Sequence, residues 1–251
     1  MKSENYQNFQ IFSFSQLAST NDTAFEMIKN GQASHNSVVI CDSQTGGRGR
    51  LGRKWQQGNG NLYLSLILRP EIDVKDAPQL VFVAINALHD AVKQLHTEQG
   101  LNNDDIKISK KWPNDLLIND KKVAGILLEN TIIDSKVDAI VVGLGVNVTT
   151  SPENVMFKAA NLQDLEFKVD KEQVWQKFLA NFAVNYQSWQ DFGFKVVKNK
   201  FINDAWRLSE EISINNNKVN ISGIFEGINQ DGAIVINTSQ GVRQVAFGDV
   251  S

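Results

Sequence analysis

The sequence predicts an α+β protein: a mixed sheet crossed by helices, followed by a small all-β end domain. Three observations carry this. Short apolar runs bounded by Gly, Pro or Asn recur as far as residue 148. Between and after them, 78–95 and 172–189 carry apolar residues at helical spacing. Beyond about residue 210 the chain changes to short alternating runs and turn signals.

The elements follow in order. FQIFSF (9–14) reads as a strand. STNDTAFEMIKNG (19–31) reads as a helix, with Thr23 and Glu26 as a capping box and Gly31 as its stop. SVVICDSQ (37–44) is a buried strand, and NLYLSLIL (61–68) is another, ended by Pro70. In 78–95 the apolar positions 81, 82, 85, 88, 92 and 95 trace one helical face. IKISKKW, DLLIND, KKVAGILLEN and DAIVVGLGVNV are four more strands, the middle two a hairpin about Asn119-Asp120. Val174, Trp175, Phe178, Leu179, Phe182, Tyr186 and Trp189 make the core face of a long helix. The tail turns at Asn215-Asn216-Asn217, Asp231-Gly232 and Gln240-Gly241, which suggests a small β-barrel leaning on the main domain. The domain reading is 1–205 and 206–251.

Composition excludes several classes. A formal net charge of −3 argues against a chain that coats nucleic acid. One cysteine, Cys41, allows neither a disulfide framework nor a cysteine metal cluster. The polar N-terminus has no apolar signal core, and no apolar run is long enough to span a bilayer. The expectation is a cytoplasmic, soluble protein with no membrane partner. His35, His89 and His96 are not spaced as a metal site, and the net reading is no side-chain metal cage.

Four stretches carry chemistry. QTGGRGRLGRKW (44–55) combines Gly46, Gly47, Gly49 and Gly52 with Arg48, Arg50, Arg53 and Lys54. Glycines let the backbone approach a ligand, and arginines fork onto carboxylate or phosphate. The stretch is not a P-loop, since no Lys-Ser or Lys-Thr follows the glycines. Gly47-x-Gly49-x-x-Gly52 spells the dinucleotide fingerprint, but no helix opens there. A solvated basic loop fits the same letters. In KWPNDLLINDKKVAGILLE (111–129), plain alternation puts Lys122 in line with Ala124, Ile126 and Leu128. That is either an edge-strand lysine that blocks aggregation or a charge aimed into a pocket. Gly125 beside it suits a ligand against the strand. In VVGLGVNV, Gly143 and Gly145 open a strand end and Asn147 follows as a hydrogen-bonding group; a tight turn would explain the glycines equally well. Ser19-Thr20-Asn21 reads as an N-cap or as a polar trio at a site.

Taken in order, five motifs resemble those of the biotin–protein ligases. They are Ser19-Thr20-Asn21; Gln44 with Gly47-Arg48-Gly49-Arg50-x-Gly52-Arg53-x-Trp55; Lys111-Trp112-Pro113-Asn114-Asp115; Lys122-x-Ala124-Gly125-Ile126-Leu127-x-Glu129; and Gly143-x-Gly145-x-Asn147. The resemblance implies a class II synthetase-like (SH2-like) ligase fold with an SH3-like end barrel. It implies two steps: biotin and MgATP give biotinyl-5′-AMP and pyrophosphate, and a lysine of a biotin carboxyl carrier protein then takes the biotinyl group and releases AMP. By resemblance, Ser19, Thr20, Asn21, Gln44, Gly47, Arg48, Lys122, Gly125 and Gly143 bind biotin. Arg48, Arg50, Arg53, Trp55, Lys111, Asn114, Asp115, Lys122, Gly145 and Asn147 bind ATP or the adenylate. Lys122 and Arg50 are the catalytic candidates, and Mg²⁺ is expected with the ATP phosphates, near Asp115. With 18 residues before Ser19, the family's N-terminal winged helix-turn-helix is not expected here, nor is a nucleic-acid partner. A homodimer through an open strand edge at 136–142 stays open. Two rivals stand beside this reading. A lipoate or octanoate ligase of related fold predicts an apolar pocket without the Thr20/Gln44 pair. A phosphate-gripping nucleic-acid module predicts steep salt dependence and no ATP consumption.

Overall fold

The main sheet is built around β4 (Leu62–Leu68), every residue of which is buried. We describe a computed structural model covering residues 1–100, 106–153, 155, 157–216 and 220–251. β4 lies inside an eight-stranded sheet of order β1-β2-β3-β4-β8-β7-β6-β5. The flanking strands are β1 (Lys2–Tyr6), β2 (Phe9–Leu17), β3 (Ser37–Gln44), β5 (Ile108–Lys111), β6 (Asp115–Ile118), β7 (Lys121–Ile133) and β8 (Lys136–Val146). Only β2 and β3 pair in parallel, and α1 (Thr20–Lys29) makes the crossover between them. The other pairings are antiparallel, which makes the sheet mixed, as expected.

Strand alternation gives the sheet two different faces. Leu62, Leu64, Leu66 and Leu68 point to the main core, with α2 (Gln79–Glu98), α3 (Lys171–Phe192) and α4 (Phe194–Asn203). Ile67 joins Phe12, Val39 and Val141 in a smaller cluster under Ala24 and Met27 of α1. The whole aromatic face of α3 named from the sequence is buried, and Asp170 with Gln173 caps that helix.

β9 (Glu211–Asn215), β10 (Asn220–Ile228), β11 (Ile234–Thr238), β12 (Gly241–Val245) and β13 (Asp249–Val250) form a second, antiparallel sheet of order β12-β11-β10-β9-β13. Its buried residues, including Phe225 and Ile234, belong to the main core cluster. Trp112 Nε1 donates to Gly232 O at 2.9 Å, and Gly232 (φ +81°) sits where a Cβ would fall 2.6 Å from the Phe82 ring. The Gln240-Gly241 turn is present; the Asn215–Asn217 turn signal falls partly outside the described residues.

Three expectations are corrected, and one strand, β1, is an addition to the sequence reading. The cap of α1 is Ser19, whose Oγ accepts Asp22 N–H, not Thr23 with Glu26. β1 pairs with β2 although its sequence is polar, because as an edge strand it needs no buried face. β8 pairs with β7 along its length and with β4 from Ile140 onward, so 140–142 lies inside the sheet and only 136–139 runs past the end of β4. A bulge shifts the β6–β7 register between Leu116/Leu117, so that Leu116 faces Ala124 but Leu117 faces Lys122. That one extra residue, Val123, moves Lys122 off the Ala124/Ile126 face and puts it over Gly125 instead.

Candidate active site

One cavity of about 770 Å³ opens on the α1 face of the main sheet. Its floor follows from register. Asp115, Gly125, Gly145 and Tyr63 make one cross-strand row, with Lys111 opposite Asp115 at its end. Leu127, Gly143 and Ser65 make the next. Paired residues share a face, so three glycines on neighbouring strands leave a hollow where side chains would stand.

The hollow's inner end is neutral and polar. Ser19, Thr20 and Asn21, at the start of α1, are all buried. Thr20 N–H donates to Gln44 Oε1 at 2.8 Å, and Thr20 Oγ1 lies 3.1 Å from the same atom. Asn21 fills the space above Gly143, where a Cβ would be 2.5 Å from Asn21 Oδ1. Its Nδ2 donates to Glu129 Oε2 at 2.6 Å. Ser65 Oγ, fully buried, touches both Asn21 Oδ1 (2.5 Å) and Thr20 Oγ1 (2.7 Å).

The middle is cationic. Lys122 Nζ pairs with Asp115 Oδ1 at 2.7 Å, the one partner of that buried oxygen among the described residues. The ammonium also lies 3.2 Å from the point where Gly125 would carry a Cβ, so a side chain there would crowd it. Lys111 differs. It is buried, and its Nζ sits 3.5 Å above the Phe157 ring and 5.1 Å from the Trp206 ring. Among the described residues it has no hydrogen-bond or ion-pair partner. Burial pulls its ammonium down to about 8, against a smaller upward pull from Asp115.

The Gly-Arg stretch folds over the cavity as a tight hairpin. Arg48 and Lys54 form an antiparallel bridge, and Leu51 (φ 57°) and Gly52 (φ 73°) turn the tip. Each arginine has a different anchor. Arg48 forks onto Asp22 (2.6 and 2.7 Å) and reaches Glu129 (3.2 Å), and these bonds, Asp22 first, push its guanidinium further up. Arg50 donates to Asn114 Oδ1 and Gly248 O, both at 3.0 Å, and burial pulls it below its ordinary range. Arg53 pairs with Asp249 at 2.8 Å. Trp55 lies flat on the glycine floor: a Cβ on Gly145 would be 2.5 Å from its Cε2. Its buried Nε1 has no partner among the described residues.

Of the residues given a biotin, ATP or catalytic role by the resemblance, all but Gly47 line this cavity. Gly47 sits where the two hairpin limbs meet, its carbonyl accepting Trp55 N–H at 3.0 Å. Asn147 spends its Nδ2 on Ala160 O and so ties down the 158–160 segment. Sequence reasoning missed Ser65, Phe157 and Trp206. It also missed the second sheet, which contributes Ser213, Asp249 and Val250 to the wall. No local signal marks these, because long-range packing brings them in. Ser65 alone had a clue: a serine inside an otherwise apolar strand.

Comparison with known proteins agrees with this geometry. Residues 13–147 match the Biotin/lipoate A/B protein ligase family, and residues 210–251 match the Biotin protein ligase C terminal domain. A biotin–(acetyl-CoA-carboxylase) ligase of Paracoccus denitrificans is 35% identical over 93% of this chain and 98% of its own. The bifunctional ligase/repressor BirA of Bacillus subtilis is 32% identical over 93% of this chain and 71% of its own. The Aquifex aeolicus biotin protein ligase in complex with biotin and ATP superposes with a TM-score of 0.78, at 28% identity and 98% coverage of both chains. The chain belongs to the biotin/lipoate A/B protein ligase family.

Proposed function

We propose that this member of the biotin/lipoate ligase family is a biotin–protein ligase, which activates biotin with ATP and passes it to a lysine of a biotin carboxyl carrier protein. The observation that carries the reading is the order of chemistry along one cavity. A neutral donor–acceptor pair at Thr20 and Gln44 lies at one end, the buried Lys111 and the half-buried Lys122 follow, and an arginine-bearing flap closes above.

The first step joins two anions. A carboxylate oxygen attacks the α-phosphorus of ATP, the bond from that phosphorus to the bridging oxygen breaks, and pyrophosphate leaves with the electron pair. The protein's task is to hold two negative groups together and offset the charge that grows between them. Lys122 suits that place. It is held by Asp115 within reach of the glycine floor, and it can turn its remaining protons to carboxylate and phosphate. Lys111 has no protein partner to give up, so its full charge is available to a phosphate. In the second step the carrier's amine attacks the acyl carbon and the acyl–oxygen bond breaks. AMP leaves, and the amine's proton passes to solvent or phosphate. Before that step the mixed anhydride must be kept from water, and the anchored flap with Trp55 beneath it provides the cover.

A metal cage does not fit. Among the described residues no three His, Cys, Asp or Glu side chains converge, and Asp115 is committed to Lys122. We therefore place Mg²⁺ with the nucleotide's own phosphates. The setting we expect is cytoplasmic and free of nucleic acid; no helix among the described residues is long and apolar enough to cross a membrane. A pairing of two copies through β8 would have to use its 136–139 end, which runs past β4.

The test is incubation with biotin, MgATP and a biotin carrier domain, followed by mass spectrometry of the carrier. One added biotinyl group, dependent on both small molecules, is the expected result. An unmodified carrier, or equal modification by lipoate, would refute it.

A further inference from the structure

Ser65 belongs to no motif and touches no solvent, yet it completes a line of hydrogen bonds from the surface to the cavity. The line starts at Glu129. An ionised carboxylate only accepts, so the Asn21 amide must turn its Nδ2 toward it, as the 2.6 Å contact shows. Asn21 Oδ1 is thereby fixed toward Ser65, 2.5 Å away. A hydroxyl has one proton, and Asn21 Oδ1 can only accept, so Ser65 gives its proton there. Thr20 Oγ1 then has two inward acceptors for its own proton: Ser65 Oγ at 2.7 Å and Gln44 Oε1 at 3.1 Å. Whichever takes it, only lone pairs remain to face the cavity. Gln44 Oε1 is also occupied by Thr20 N–H at 2.8 Å, and Gln44 Nε2 has no partner among the described residues. The inner end therefore offers one donor and one acceptor side by side, with the polarity of each set from behind.

We infer that Ser65 is a specificity-determining positioning residue: it fixes the Thr20 hydroxyl as an acceptor and so selects a ring whose carbonyl is flanked by N–H. The inference rests on the biotin reading, since biotin's head is a cyclic urea, which pairs its C=O with Gln44 and an N–H with Thr20. Without Ser65 the Thr20 proton keeps one inward acceptor in place of two, the longer contact to Gln44 Oε1, and turns outward more readily. The site would then tolerate a cyclic carbamate, in which a ring N–H is replaced by oxygen.

Calorimetric binding of biotin and of the two carbamate analogues, without ATP, tests this in wild type, Ser65→Ala and Ser65→Thr. Wild type should prefer biotin over at least one analogue by a wide margin, because a site built to bond an N–H is left unpaired by its absence. Ser65→Ala should lower that preference by about tenfold, with KM for ATP within about twofold; a general loss of structure would not move a ratio of two ligands in this way. Ser65→Thr, which restores the hydroxyl, should recover the preference. A folded Ser65→Ala variant with an unchanged ratio overturns the inference. Should alanine prevent folding, Ser65→Cys, a weaker donor of similar size, must give an intermediate ratio, and an unchanged one counts against the idea equally. Wild type that binds biotin but forms no adenylate would defeat the ligase reading alone, leaving the ratio to judge Ser65.

Discussion

Lys110 and Lys111 are neighbours on β5 and end in opposite worlds. Lys110 points into the core face, fully buried, where its ammonium meets Lys200 O (2.5 Å), Asp204 Oδ2 (3.1 Å) and Asn86 Oδ1 (3.3 Å). Lys111 points to the cavity face and meets only two aromatic rings. Burial pulls both ammonium groups below their ordinary range. The difference lies in who supplies the counter-charge. On the scaffold face the protein supplies it, and the lysine ties β5 to the end of α4. On the cavity face no carboxylate among the described residues touches it and Asp115 pulls only from a distance, and that unmet need is the signature of a site.

The sharpest way to break this contrast lies on the cavity face. Lys122→Ala should lower biotin-dependent pyrophosphate release by about 10³-fold or more, while the protein stays folded. Release within tenfold of wild type would remove Lys122 from the bridging role. Next comes a crossed pair. Lys110→Met should cost about 2 kcal/mol of stability, since Asp204 and a carbonyl lose their donor, and leave KM for ATP near wild type. Lys111→Met should do the reverse, holding or raising stability while KM for ATP climbs about tenfold. Urea melts and initial rates on both variants decide it; parallel effects would dissolve the distinction.

A pH series sharpens the contrast further. Lys111 ionises near 8 in the free protein, below its ordinary 10.5. Its folded value is depressed, so the unfolded chain binds more protons between these limits and stability should rise with pH there. A bound phosphate favours the charged form and takes up a proton in the same window. Nucleotide affinity should therefore fall as pH rises through 8, by about tenfold per unit at most, and the fall should flatten in Lys111→Arg. The smallest effect is expected at the flap's outer anchor. Arg53 and Asp249 are half-exposed, and such pairs contribute under about 1 kcal/mol. Asp249→Asn should change stability little and speed adenylate loss only a few-fold, read by trapping released biotinyl-AMP.

How much of this was legible in the chain depends on whether a feature was local. Strand runs and helical spacing carried the main sheet, α2 and the α3 core face, because burial imposes those periods wherever an element lies. The lysine, arginine and glycine motifs carried most of the cavity, since each needs a residue type that packing alone would not choose. What failed was set by register and by distance. The Val123 bulge turned Lys122 by one position, and no propensity announces a bulge. Half of the supposed edge at 136–142, residues 140–142, acquired neighbours on both sides, because strand order is a property of the whole sheet. Phe157 and Trp206 cage Lys111 from remote segments, and Ser65 reads as one polar letter in LYLSLIL until Asn21 is seen against it.

The most direct test of the central claim is exchange of labelled pyrophosphate into ATP, which reports the first step alone. Exchange that requires biotin, fails with octanoate and lipoate, and vanishes in Lys122→Ala is the predicted result. Exchange that proceeds without biotin, or that octanoate supports as well, would contradict the account.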